Sequence, residues 1–439
     1  MELSVYVLDR IVATLESMGD FKSVLTYRPE TAKDDFVSLT MRVRAESWTW
    51  PDTLPPVFQM NLPEGYLLQV LQERFGPAIG ADPIKLLSIV GRNMIGRLRV
   101  VVPGVPLDEA PKPVDVAQLM TGDHSEERFL ALVREHATSG ISGIQPKFLD
   151  EESPSSEVFA KGSLRTRKHI IKGSAARLPF LALNEHLCMR VAAKVTETAR
   201  TEISPDGRLL IVHRFDVDEN GQPFRGMEDF CALLGLRPAN KYETTWERVC
   251  KAVKQHVPGE SQKRALEELA THMLLAHALR NADQHAKNIA LVYTSDRDVH
   301  VAPSYDLFTT AVYEGYHLNP PALSLMGTRT WTPGKSLRTA LASVFGLAPR
   351  EQAAIVEKVS EAATEVAPEV RQWMRDLPAF EEIGTRLLRT WNDGLSTLRN
   401  DRHYSLGAWD ARGALEGLTE VPPLGERKVL VGRSPVPGF

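Results

Sequence analysis

The sequence predicts an α+β protein built as two lobes. Three observations carry that expectation. The chain has 439 residues, 43% of them hydrophobic, which suffices for one large two-lobed domain or two to three smaller ones. Up to about residue 237, short apolar runs of strand character mix with helical patterns and turn signals. Beyond about residue 238 the apolar spacing is mainly helical.

The elements follow in order. Val37, Leu39, Met41 and Val43 alternate with period two and predict a strand. "IGRLRVVVP" at 95–103 predicts a second, closed by proline. Pro103, Pro106, Pro111 and Pro113 then place four prolines in eleven residues, which neither a helix nor a central strand accommodates. That stretch predicts a linker, so residues 1–113 form an amino-terminal subdomain. Residues 114–237 form the core of the first lobe. "SEERFLALVREHA" at 125–137 predicts a helix capped by Ser125, with acids in its first turn. A Gly- and Ser-containing stretch follows. "KHIIKGS" (168–174) predicts a strand, "FLALNEHLCMRVAAKV" (180–195) a helix, and "GRLLIVHRFDVD" (207–218) a strand running into a connection. Residues 238–421 form the helical lobe. Leu266, Leu269, Met273 and Leu274 keep the 3.6-residue period of a long helix over 262–280. Two more helices are predicted over 350–366 and 380–401, and residues 422–439 read as an extended or frayed tail.

Composition excludes several classes. A net charge of -4, with 25% charged residues, does not suggest direct nucleic-acid binding. Cys188, Cys231 and Cys250 form no CxxC pair and no metal-ligand spacing. They predict a reducing compartment and three buried apolar side chains. "MELSVYVLDRIVATLESMGD" lacks the basic flank and apolar core of a signal peptide. No run of about 18 apolar residues predicts a membrane span. The expectation is a cytoplasmic protein with no membrane partner.

The chemistry concentrates in "NADQHAKNIALVY" (281–293). Asp283 is followed five residues later by Asn288, where a helical pattern gives way to a strand-like run. Phosphoryl transfer in kinase-like folds uses such a pair: the acid accepts the proton of the attacking hydroxyl, and the amide oxygen binds Mg²⁺. Magnesium takes oxygen ligands, so a second acid is needed. "VAPSYDLF" supplies Asp306, eighteen residues beyond Asn288. "IALVY" and "DVHVAPSYD" predict the two strands of a hairpin, with "TSDR" as its turn, and that hairpin returns Asp306 to Asn288. Upstream, "TSGISGIQPK" (138–147) offers small residues that let backbone N–H groups approach phosphates, plus Lys147. Lys172 lies on an apolar strand, where a lysine needs a partner, and Glu185 on the next helix is the candidate. The order is glycine loop, strand lysine, helix glutamate, connection, long helix, DxxxxN, hairpin and aspartate. It is that of a protein-kinase-like ATP site.

These residues resemble the HipA family of bacterial serine/threonine kinase toxins. The resemblance runs through "SGISGIQPKF", "HIIK", "NEHLCMRVA", "VHRFD", "MEDFCALLGL", "DQHAKN" and "PSYDL". "NLPEG" and "IVGRNMIGRL" resemble the family's amino-terminal subdomain, so the likeness covers about residues 55 to 395. It implies a kinase-like fold with an extra amino-terminal subdomain. It implies Asp283 as catalytic base and Asn288 and Asp306 as magnesium ligands. Lys172, paired with Glu185, would hold the ATP phosphates. The loop with Ser142, Gly143, Ile144, Gln145 and Lys147 would cover them. Val212, His213, Arg214 and Phe215 would line the adenine edge, and His285, Lys287 and Tyr305 would complete the nucleotide site. For His285 a structural role, orienting the catalytic loop by hydrogen bonding, is expected over that of base or metal ligand.

The family also implies partners and regulation: a HipB-like helix-turn-helix antitoxin, contact with nucleic acid only through it, and a protein substrate such as an aminoacyl-tRNA synthetase. It implies growth inhibition and persistence as the outcome. Family members autophosphorylate a serine of the glycine-rich loop and thereby inactivate themselves. The family's usual first serine is Gly140 here, so Ser142 is the expected site, with Ser139 second. A phosphate there would repel ATP phosphates. His213 stands where a carboxylate is frequent, and backbone contacts to adenine are expected to survive that change. Two other readings stay open: a degenerate kinase acting as a co-repressor of a DNA-binding partner, and a small-molecule or lipid kinase. The complete polar set weighs against the first, and the lack of a basic amphipathic stretch against a membrane substrate.

Overall fold

The computed structural model describes residues 1–19, 22–51, 54–63, 68, 82–107, 115–137, 161–174, 177–401, 403–404, 406 and 416–425. The chain opens with strands β1 (Glu2–Val7), β2 (Arg10–Ser17), β3 (Ser23–Tyr27) and β4 (Trp48–Trp50), and returns with β5 (Leu98–Val101). They make one antiparallel sheet in the order β4-β3-β2-β1-β5. Leu3, Val5 and Val7 alternate onto its inner face and are fully buried. Helix α1 (Pro83–Val90) covers that face with Ile84 and Leu87. It starts where it does because Asp82 accepts the N–H of Ile84 and proline holds the first turn.

The strand expected from Val37 to Val43 does not form. That run makes a tight turn closed by a single bridge between Ser38 and Met41. The Tyr27 hydroxyl accepts the N–H of Val37 at 2.7 Å and donates to the Met41 carbonyl at 2.5 Å. With its backbone groups met by side chains, the turn needs no neighbouring strand. The alternation still marks burial: Val37, Leu39 and Met41 are all in the core.

A second antiparallel sheet builds the floor of the first lobe. Its strands are β6 (Lys161–Arg165), β7 (His169–Ser174), β8 (Thr201–Ile203) and β9 (Leu209–His213), in the order β6-β7-β9-β8. Helix α2 (Glu126–Ala137) packs Phe129, Leu132 and Val133 against Leu164, Ile171 and Ile211 on one face. Gly173 makes that packing possible, since a Cβ there would lie 2.9 Å from the Phe129 ring. Period two then sends Ile170, Lys172 and Val212 to the other face. Helix α3 (Leu181–Val195) follows β7.

The third sheet links the lobes. Strand β10 (Gly226–Asp229) pairs antiparallel with β11 (Ala290–Tyr293), which pairs with β12 (Val299–Val301). β11 and β12 are the two arms of the expected hairpin, and residues 294–298 turn between them. The helical lobe comprises α4 (Trp246–His256), α5 (Gln262–Ala278), α6 (Gly334–Phe345), α7 (Pro349–Asp376) and α8 (Glu381–Arg399). α7 runs ten residues past the expected end at 366, through Pro368. Among the described residues no helix is long and apolar enough to cross a membrane. Cys188, Cys231 and Cys250 form no disulfide and are buried in the core.

Candidate active site

The site begins at the end of α5. Arg280 takes a left-handed conformation (φ 51°), Asn281 donates its N–H to the Ala276 carbonyl at 2.8 Å, and Arg280 donates to the His277 carbonyl at 3.3 Å. These are the two crossed bonds of a Schellman end, a position where glycine is usual. Arg280 holds it through a bond from Nη2 to the Thr397 hydroxyl at 2.7 Å. The chain then drops into residues 281–288, every one of them buried.

Local polar contacts fix that loop. The Asn281 side chain accepts the N–H of Asp283 at 2.9 Å, and His285 donates its N–H to the Asp283 carbonyl at 2.8 Å. The Asn288 amide donates to the same carbonyl at 2.7 Å. Thr310 ties the loop from outside: its hydroxyl donates to the Arg280 carbonyl at 2.8 Å and accepts from Ala282 at 2.9 Å. Asp283 and Asn288 are thus joined directly, five residues apart, on one rigid loop. With its nitrogen fixed, the Asn288 amide offers its oxygen as the donor type that magnesium takes.

Asp306 lies five residues beyond β12, and its neighbour Tyr305 ties this segment to the loop by donating its hydroxyl to the Lys287 carbonyl at 3.0 Å. Asp306 has a positive φ of 58°, which aspartate tolerates better than most residues. Lys172 bridges it to α3: the ammonium donates to Glu185 Oε1 at 2.5 Å and to Asp306 Oδ1 at 2.7 Å. Glu185 is 1% exposed and Lys172 9%, so the triad is shielded from water. The neighbouring Asn184 locks α3 to the same segment. Its amide donates to the Thr309 carbonyl and accepts the Thr309 N–H, each at 2.9 Å.

A cleft of about 920 Å³, part of it open to solvent, lies between the two sheets. Of the residues expected in a nucleotide site, Lys172, Val212, His213, Arg214, Phe215, Lys287, Tyr305 and Asp306 line it. Asp283, Asn288, His285 and Glu185 are not among its lining residues; Glu185 reaches the cleft through Lys172, and Asp283, His285 and Asn288 belong to the loop whose Lys287 lines it. Ser139, Ser142, Gly143, Ile144, Gln145 and Lys147 lie outside the described residues, and so does most of the tail after 425.

Two expectations change in detail. The N–H groups of His213 and Arg214 are already engaged, with the Arg200 and Lys168 carbonyls at 2.8 Å each. The residues just before β8 and β7 take those two donors, so they are not open to an adenine ring in this conformation. The Arg214 guanidinium points into a buried pair with Asp216 (2.6 Å and 3.1 Å). Burial pushes the Asp216 carboxyl up, but Arg214 outweighs it and the net shift is downward. His285 sits edge-on to the Tyr242 ring at 4.9 Å, with its Nε2 3.7 Å from Asp283 Oδ1. The loop-orienting position fits it better than a place on the nucleotide.

Sequence reading missed part of the wall. Met60 and Ile95, from the amino-terminal subdomain, line the cleft, as do Met227 and Asp229 of β10. Asp229 also caps the following helical turn by accepting the Ala232 N–H at 2.7 Å. The stretch "MEDF" was a signal for these last two, whereas Met60 and Ile95 carry no local pattern. Arg165 lines the cleft too, and burial pushes its guanidinium down to about 9, so it stays charged at neutral pH.

The apolar wall of Ile170, Val212, Phe215 and Met227 suits a flat heteroaromatic ring, and Lys172 suits an anion at one end. Asn288 and Asp306 carry oxygen donors, and the two segments are tied by the bond from the Tyr305 hydroxyl to the Lys287 carbonyl at 3.0 Å. Among the described residues no group of three His, Cys, Asp or Glu could hold a metal. A magnesium ion that arrives with phosphates needs only one or two protein oxygens. The donor set therefore fits it.

Together these features define a two-lobed, kinase-like α+β fold. Residues 139–367 match the HipA-like C-terminal domain and residues 3–101 the HipA N-terminal domain, and the chain belongs to the HipA family. It is 29% identical over 315 residues to Y4mE of Sinorhizobium fredii, which covers 67% of this chain and 72% of that protein. It is 25% identical over 333 residues to Y4dM of the same organism, covering 69% and 75%. Both are kinases by their assigned names. HipA of Shewanella oneidensis MR-1, solved in a toxin–antitoxin complex with HipB and operator DNA, shares the fold. Its TM-score is 0.66 at 18% identity, over 95% of this chain and 100% of that one.

Proposed function

We propose that the protein is an ATP- and magnesium-dependent serine/threonine protein kinase that acts as a growth-inhibiting toxin. One observation carries the reading: the Lys172 ammonium is held between Glu185 and Asp306, beside the loop that joins Asp283 to Asn288. Phosphoryl transfer needs positioning and charge neutralisation more than covalent chemistry by the protein. Lys172 would neutralise the phosphates in the cleft. Asn288 and Asp306 would hold magnesium, which, when bound, offsets charge on the transferring phosphoryl group. Asp283 would take the proton of the acceptor hydroxyl as its oxygen bonds to the γ-phosphorus and the bond to the ADP oxygen breaks. A weak base serves, because that proton leaves late.

Regulation and partners extend the proposal. The likeness to a HipA described with HipB and operator DNA supports a HipB-like antitoxin, with DNA reached only through it. An aminoacyl-tRNA synthetase as substrate, and silencing by phosphorylation of Ser142, are what family resemblance supports. The test is label transfer from γ-labelled ATP with Mg²⁺ into a bacterial lysate. Wild type should label a discrete band. Asp283→Ala and Asp306→Asn should each lower that rate by about a hundredfold or more. Equal labelling by all three proteins would refute catalysis at this site.

A further inference from the structure

The contacts on Asp283 leave a question that the loop alone does not answer. Its main chain is fixed by Asn281, His285 and Asn288. None of those bonds sets the plane of its carboxylate. Tyr242 does: its hydroxyl donates to Asp283 Oδ1 at 2.5 Å. The ring is itself placed by the catalytic loop, edge-on to His285 at 4.9 Å. One residue earlier, the Lys241 carbonyl accepts the Ala286 N–H at 3.0 Å, so this segment and the catalytic loop are clamped by backbone as well. Lys241 carries its ammonium 5.5 Å from the centre of the Tyr242 ring. Tyr242 is not among the residues that line the cleft.

We infer that Tyr242 is a positioning residue for the catalytic base: its hydroxyl fixes the Asp283 carboxylate for the acceptor. The assignment rests on the kinase reading above. Tyr242 acts through Asp283 and not on the nucleotide or acceptor. It acts after ATP has bound, so it governs the rate at saturation and not the affinity for ATP. A residue that merely packed the loop would act through its ring, which phenylalanine retains.

The experiment compares wild type, Tyr242→Phe and a protein carrying 3-fluorotyrosine at 242. The readout is label transfer from γ-labelled ATP with Mg²⁺ into the lysate band that wild type labels. Tyr242→Phe should lower the rate at saturating ATP about tenfold, leave the ATP concentration for half-maximal rate unchanged, and leave the melting temperature within about 2 °C. The 3-fluorotyrosine protein, which keeps the hydroxyl, should recover the rate. Should Tyr242→Phe not fold, 4-fluorophenylalanine at 242 decides. It fills the space of the hydroxyl but cannot donate, and an unchanged saturating rate overturns the inference. A wild-type rate in Tyr242→Phe overturns this inference alone and leaves the kinase reading standing. No transfer by wild type overturns the kinase reading and this inference with it.

Discussion

Lys172 carries one positive charge against two buried carboxylates, Glu185 and Asp306. Removing different members of such a triad has different costs. Glu185→Gln keeps an acceptor for the ammonium and leaves it paired with Asp306. Lys172→Met leaves two carboxylates buried without their cation, and breaking a buried pair costs about 3–5 kcal/mol. Lys172→Met should therefore lower the urea midpoint well beyond Glu185→Gln, while both lose label transfer. Equal midpoints would mean that water reaches the triad. Asp306 adds a second constraint, because its φ of 58° is a conformation that asparagine tolerates and alanine does not. Asp306→Asn thus tests the charge alone, where Asp306→Ala would add backbone strain.

Helix α8 crosses the end of α5 at Gly394, and the crossing decides where the loop of residues 281–288 starts. A Cβ at 394 would lie 2.0 Å from the Ala278 carbonyl oxygen, so the two helices meet through bare backbone. Gly394→Ala must push them apart, at an overpacking cost of about 1–3 kcal/mol. Ala278 is five residues before Asp283, so label transfer should fall together with the melting temperature. A variant as stable and active as wild type would mean that the crossing is not rigid. Contacts of this kind were hidden from sequence reading, while the elements themselves were legible. α5 and the β11–β12 hairpin have strong periods, and their type and order followed from them. The Lys172–Glu185 pairing followed because a lysine in an apolar strand needs a partner. The turn at Val37–Met41 did not, because side chains outside the run satisfy its backbone: Tyr27, ten residues before Val37, and Glu228, far away in the chain. Asn184, Tyr242, Met60 and Ile95 were missed for the same reason: their meaning lies in what they touch.

At the scale of the whole molecule, the amino-terminal subdomain is tied to the β10–β11–β12 sheet that walls the cleft. Arg97 donates to the Thr294 carbonyl in the hairpin turn and to the Asp34 and Phe36 carbonyls, all at 2.9 Å. Glu228 on β10 accepts from the Ser38 hydroxyl at 2.6 Å and the Tyr293 hydroxyl at 2.8 Å. Loss of folding in one part should then be felt in the others, and acid provides a probe. Burial pushes His186 and His272 down to about 4. His277 falls to about 3, through burial and then Arg280. An unfolded histidine titrates near 6.5, so the unfolded chain takes up these protons first. The folded-state values are depressed. The stability they contribute is therefore present above about pH 6.5 and is lost as pH falls from there to about 4. Burial raises Glu228, which acts in the opposite sense: protonation favours its folded form as pH falls. Burial lowers His169 and His256 as well, so five histidines stand against that one raised carboxyl and the net is a loss. The urea midpoint should hold between pH 8 and 7 and then decline steadily from about 6.5 to about 4. His272 is the cleanest of the five, because burial is the sole cause of its shift. His272→Leu should flatten that decline by the equivalent of one proton. A midpoint that stays level down to pH 5, or a decline that His272→Leu leaves unchanged, would show that these histidines are not buried neutral in solution.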